Sequence, residues 1–193
     1  VEQRVSLGFA YGSSSQNETA VASLKDTMAR AERDGGKDPE KNLFMAERYA
    51  EAGSWLTSAL NSLGRSAEAV QIGRDARQVA EAVLEIRPGN FPALYSLGLL
   101  EGSLGAAAVE DLRPADALPL YARATGVYTT VSRLDPGNRT YANNRASQYG
   151  ELSRAIRLTN TPEQEFGPAI SPDGKWVAYI TNTHGRADVW VKS

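Results

Sequence analysis

The sequence predicts a mainly α protein of antiparallel helical hairpins, followed by a C-terminal β-hairpin. Three observations carry that expectation. Apolar residues recur at alternating intervals of three and four from residue 18 to about residue 158. The phrase Arg87-Pro88-Gly89-Asn90 returns 48 residues later as Asp135-Pro136-Gly137-Asn138, each time between two helix-like runs. Beyond Leu158 the pattern changes to strand-forming residues broken by turn signals. Proline cannot continue a helix, glycine takes backbone angles other residues avoid, and asparagine can cap the helix that follows. The phrase is therefore a stop and a restart, and its return implies a helical repeat.

Composition sets the outer bounds. With 193 residues, 41% hydrophobic and 23% charged, the chain has the apolar content of a folded domain with a core. A net charge of -2 supplies no basic excess for neutralising phosphates, so nucleic acid is not an expected partner. No stretch of 18 apolar residues occurs, and no membrane span is expected. Cysteine is absent, which excludes disulfides and thiolate metal sites and leaves the compartment open. The start, Val1 to Gly8, has neither methionine nor a signal-peptide core and reads as a piece of a longer polypeptide.

The elements follow in order, grouped as an N-terminal segment (1–38), a helical-repeat domain (39–158) and a strand-rich tail (159–193). Val5, Leu7, Phe9 and Tyr11 alternate with small or polar residues, which permits a short strand or the end of an upstream helix. A helix is expected over 18–33, with Asn17 as its cap and Ala20, Leu24, Met28 and Ala31 on its apolar side. Gly35-Gly36 ends it; Asp38 and Pro39 read as cap and first position of the next helix, which runs to about Leu63. Its stripe is Met45, Tyr49, Ala52, Leu56, Ala59 and Leu63. After Gly64-Arg65, Ser66 reads as the cap of a helix to Ile86 that carries Val70, Ala76 or Gly73, Val79, Ala80, Val83 and Leu84 on its packing side.

The second hairpin starts after Asn90 with Leu94, Leu97, Leu100 or Glu101, and Leu104, and reaches about Val109. Its return helix carries Leu118, Tyr121, Tyr128, Val131 and Leu134 inward, and Pro119 fits its first turn. A third unit opens after Asn138 with Tyr141, Ala142, Arg145, Tyr149 and Leu152, and no second helix follows. Residues 159–162 read as a linker, Ser171-Pro172-Asp173-Gly174 as a turn, and 176–181 and 187–191 as the two strands of a hairpin around Asn182 to Arg186.

The helical part resembles the tetratricopeptide repeat. In its second unit Leu94, Leu97, Gly98, Leu104 and Gly105 fit the family's first helix, and Ala124, Tyr128, Leu134 and Pro136 its second. In the first unit Leu56, Leu60, Leu63, Gly64 and Pro88 fit, while Thr57 stands where the family has glycine. The period of 48 exceeds the family's 34, which implies helices about two turns longer each. The tail is similar to the opening of a TolB-like β-propeller, through Leu158-Thr159-Asn160, Pro168 to Tyr179, and Asp188-Val189-Trp190-Val191. The combination resembles the sensor part of multidomain bacterial signalling proteins, including some with a kinase domain, and implies the extracytoplasmic side of a bacterial membrane.

Chemistry is sparse. There is no phosphate-binding glycine loop and no nucleophile elbow, and His184 is the sole histidine, so a catalytic triad or two-histidine metal site is excluded. The close carboxylate pairs Glu32/Asp34, Glu81/Glu85 and Glu110/Asp111 read as solvated surface. Arg65, Arg74 and Arg77 are interspersed with Glu68, Asp75 and Glu81, an ion-pair-laced face rather than a basic patch. No cofactor or metal is called for. The tetratricopeptide resemblance implies a non-enzymatic module whose first helices line a groove for a peptide or protein domain. Carried over by position, that groove comprises Ser54, Ser58, Asn61, Tyr95, Leu99, Asn143 and Ser147, without the family's carboxylate-gripping set. The alternative is a structural spacer, or a homo-oligomer formed through the C-terminal strands, since an open strand edge recruits partners.

Overall fold

The computed structural model describes residues 17–159, 164–171, 176–183 and 186–192. The stretch 5–11, read as a short strand or the end of an upstream helix, and parts of both turns of the tail, at 172–175 and 184–185, lie outside the described residues. Six helices follow one another: α1 (Asn17–Arg33), α2 (Leu43–Ser62), α3 (Ser66–Ile86), α4 (Phe91–Glu110), α5 (Pro114–Leu134) and α6 (Arg139–Leu158). Three strands follow: β1 (Gln164–Ile170), β2 (Val177–Thr183) and β3 (Arg186–Lys192).

The helix boundaries themselves repeat. The 20-residue helices α2, α4 and α6 begin 48 residues apart, and so do the 21-residue helices α3 and α5. The joints between units repeat as well. Arg87, after α3, has φ -135 and ψ 85; Asp135, after α5, has φ -137 and ψ 80. Asn42, Asn90 and Asn138 each accept a backbone N–H from the first turn of the helix they precede, at 3.2, 3.0 and 3.0 Å. These caps fix where each odd turn of chain becomes helix, and the architecture is that of a helical repeat.

The turns inside the hairpins also match. At Leu63-Gly64-Arg65 the Arg65 N–H donates to the Leu60 carbonyl and the Gly64 N–H to the Asn61 carbonyl, at 2.9 Å each. Gly64 has φ 68, completing a left-handed helix stop of the Schellman type. The same pattern recurs at the end of α4, where Arg113 donates to Ala108 at 2.8 Å and Leu112 to Val109 at 3.0 Å. There the left-handed residue is Leu112, φ 59.

The chain divides into two compact units, Val1–Ala107 and Ala108–Ser193. In the first unit α2 packs against α1 and α3. Gly53 makes this possible: a Cβ there would lie 2.4 Å from the Ala76 Cβ and 3.3 Å from Met28 Cε. The close approach of these helices is thus made at Gly53, one turn before Thr57. Thr57 is buried and turns its hydroxyl back onto its own helix, donating to the Gly53 carbonyl at 2.7 Å. Leu24, Met28, Tyr49, Leu56, Leu60, Val79, Val83, Leu97 and Leu104 are among the buried side chains of this unit.

In the second unit Ala108, Ala117, Tyr121, Leu152, Ala155 and Ile156 form a core, with Val109 and Leu118 packed against it. The strands form one antiparallel sheet in the order β1-β2-β3. The register of β2 on β3 is unbroken from Val177↔Lys192 to Thr183↔Arg186, whereas β1 on β2 shifts between Phe166 and Ala169. Gly167-Pro168 explains the shift, because proline has no N–H for the ladder. Ser171 and Trp176 close the β1–β2 connection with 2.9 Å bonds in both directions. Strand β1 packs on α6 and α5. Of the residues expected as two strands, 177–181 lie in β2 and 187–191 in β3, while Trp176 lies just before β2.

Several local expectations change. Asp38 does cap a turn, accepting the Glu40 and Lys41 N–H groups at 3.2 Å, but the helix begins only after Asn42. Gly36 holds this loop tightly against the helices, since a Cβ would meet the Ala31 and Met45 carbonyl oxygens at 2.6 and 2.7 Å. Asn17 and Ser66 are first helical residues rather than caps. Because Pro114 occupies the first position of α5, Pro119 lies in its second turn, where the Ala115 carbonyl it leaves without a donor is on an exposed residue. Leu134, expected inward, is exposed, for it is the last residue of α5, beyond the packing of the helix.

Candidate functional site

In the first unit α2 and α4 run side by side in the same direction. Two bonds fix this. Near the helix starts the Asn90 Nδ2 donates to Glu47 Oε1 at 2.6 Å, and near their ends the Asn61 Nδ2 donates to the Ser103 carbonyl at 2.7 Å. Between these levels α3 supports both helices: a Cβ on Gly73 would lie 2.9 Å from Leu104 Cδ2 and 3.1 Å from Thr57 Cγ2. The pair is therefore locked at both ends and backed by a third helix.

The groove residues do not all face outward. Ser54 is 0% exposed, and its hydroxyl donates to the Glu51 carbonyl at 2.8 Å, so it cannot meet a partner. It is removed from the surface by its position beside the buried stripe. Asn61 is half-buried and has a structural task, tying α2 to α4. Ser58, Tyr95 and Leu99 are half-buried on these two helices. Asn143 and Ser147 are exposed on α6, in the second unit.

Sequence reasoning found only Ser58 of another set on α2. Phe44, Arg48, Glu51, Trp55 and Ser58 recur at intervals of four, three, four and three, one residue ahead of the buried stripe. Phe44 is exposed and the others are half-buried. The Arg48 guanidinium lies over the Phe44 ring, 5.2 Å from its centroid, and pairs with Glu51. The spacing was visible in the sequence, as was the adjacent stripe of Tyr49, Ala52, Leu56 and Ala59 that faces the core.

The carboxylate pairs are drawn into surface ion pairs. Glu32 meets Lys37 at 2.9 Å, Glu81 lies 3.8 Å from Arg77, and Asp111 meets Arg113 at 3.2 Å. Arg65 contacts both Glu68 and Glu18, so it belongs to an ion-pair network across α1 and α3. Lys25 joins that network, and its hydrogen bond, with help from Arg65, holds the Glu68 carboxyl below its ordinary range. The Lys37 ammonium is raised by its bond to Glu32. One carboxylate is unlike the rest: Glu101 on α4 is 0% exposed, with Arg77 Nη1 at 3.8 Å. The sequence left this stripe position open between Leu100 and Glu101, and both are buried.

Among the described residues no three His, Cys, Asp or Glu side chains group as a metal site would require, and no helix is long and apolar enough to cross a membrane. Comparison with known proteins finds no matching family model, no matching curated protein and no matching solved structure.

Proposed function

We propose that this chain is a non-enzymatic protein–protein interaction module that holds an extended peptide or a neighbouring domain along α2 and α4. The observation that supports this reading is the locked parallel pairing of these helices, with Trp55, Ser58, Tyr95 and Leu99 left half-exposed upon them. Aromatic and aliphatic side chains on a rigid support lose little entropy on binding and make efficient contact surfaces. In this reading the repeat is of tetratricopeptide type with long helices. The tail is the start of a TolB-like propeller, and the whole serves as sensor or scaffold in a larger bacterial signalling protein.

A displayed random-peptide library panned against the chain tests the assignment. Peptides retained by the native protein should bind Tyr95→Ala and Leu99→Arg variants about tenfold or more weakly, the loss expected of contact residues. Retention that ignores both substitutions would remove the site from α2 and α4.

A second reading, a spacer or dimerisation segment, draws on the sheet. β1 packs on helices, while β3 pairs with β2 on one side only among the described strands. Light scattering before and after deletion of residues 160–193 distinguishes it; a monomer in both cases rejects strand-edge pairing.

A further inference from the structure

Two sister turns of the repeat use different residues for the same backbone. Gly64 and Leu112 lie 48 residues apart, with φ 68 and φ 59. Glycine adopts this region freely, whereas leucine is disfavoured there. The leucine gains nothing inside the protein, for it is 88% exposed. A residue both strained and outward-facing points to a role outside its own fold. Around it Glu110, Asp111 and Asp116 are exposed, with Arg113 bridging the two aspartates at 3.2 and 2.7 Å, so three acids and one base leave this turn net negative.

The far end of α5 has the complementary character. Leu134 is 56% exposed, and the exposed Arg133 and Arg139 outnumber Asp135. A helix of 21 residues separates the two ends by roughly 30 Å, so they cannot meet within one molecule. We propose that they meet between molecules: the Leu112 turn of one copy docks head-to-tail on the Leu134 end of a second copy, leucine against leucine and acidic rim against Arg133 and Arg139. Such a contact is heterologous, leaves one donor and one acceptor face open, and propagates. Its charged rim makes it weaken with salt. It uses neither the α2–α4 surface nor the strand edge, so Tyr95→Ala and deletion of 160–193 leave it in place.

Sedimentation velocity over a concentration series tests the proposal. The native chain should grow beyond dimers as concentration rises and shrink as salt is added. Leu112→Gly keeps the turn and removes the anchor; Leu134→Glu spoils the receiving end. Each should weaken association about tenfold or more. Mixed in equal amounts, the two variants should form a one-to-one dimer that grows no further, because one intact face of each kind remains. A native chain that stays monomeric, a Leu112→Gly variant that still assembles, or a mixture that stays monomeric would each overturn the inference. Unfolding curves of both variants, recorded alongside, separate lost docking from lost folding.

Discussion

Replacing Leu112 by glycine should stabilise the chain, against the usual direction for leucine-to-glycine changes. A leucine held at φ 59 costs about 1–2 kcal/mol relative to a right-handed conformation. Glycine removes that strain but has more freedom to lose on folding, which offsets about 0.5–1 kcal/mol. The side chain is 88% exposed, so little apolar burial is forfeited. The net gain is about 0.5–1 kcal/mol, a rise in Tm of about 1–4 °C at this chain length. The mirror substitution isolates the cause. At Gly64 an added Cβ meets nothing within 4 Å, so Gly64→Leu changes only the backbone preference and should lose about as much. Urea and thermal unfolding of the two variants measure both signs. A Leu112→Gly variant that unfolds at lower urea than the native chain, or a Gly64→Leu variant that matches it, would refute the argument from backbone conformation.

Three further expectations concern the interior. Gly53→Ala should destabilise by about 1–3 kcal/mol through overpacking against Ala76 despite alanine's better helix propensity, whereas Gly150→Ala, with open space around its Cβ, should gain about 0.5–1 kcal/mol; chemical denaturation compares them. Arg77→Ala takes away a cation 3.8 Å from the fully buried Glu101 and should lose about 1–3 kcal/mol, below the loss for a fully buried pair because Arg77 is itself about a third exposed; a Glu101→Gln background should shrink the loss. The Tyr121 hydroxyl is pushed up to about 12, chiefly by burial and then by the Glu151 charge. The folded state therefore holds the proton after the unfolded state has released it. Stability should be intact below about pH 10 and fall by about 2–3 kcal/mol between pH 10 and 12, a decline missing from Tyr121→Phe and readable from unfolding at graded pH.

Much of the helical part was legible because its signals are local. The apolar stripes place Tyr49, Leu56, Val79, Val83, Tyr121 and Tyr128 correctly, since three-and-four spacing survives any tertiary arrangement. The third member of the asparagine series, Asn42, was hidden because Pro39-Glu40-Lys41 lacks the Pro-Gly punctuation that precedes Asn90 and Asn138. Asp38 offered an equally good capping signal four residues earlier, and only the Asn42 bond to the Met45 N–H settles the start of α2. Strand β1 escaped notice because Gly167-Pro168 interrupts its alternation. The candidate surface was half legible. Position along the repeat named Ser58, Tyr95 and Leu99, which are half-buried, but the rotation that buries Ser54 and turns out Trp55 depends on how α1 and α3 flank α2, which no single helix encodes.

The three capping asparagines also make the chain divisible. A deletion of residues 43–90 would join Asn42 directly to Phe91, and the splice would again read as an asparagine followed by a 20-residue helix of the same class. The hydrogen bonds of Lys25 to Glu68, Arg65 to Glu18, Asn61 to Ser103 and Asn90 to Glu47 span 42 to 47 residues, about one repeat each. Such a chain can lengthen or shorten by whole repeats while every joint keeps its own chemistry, and it can fold outward from any one of them as it leaves the ribosome.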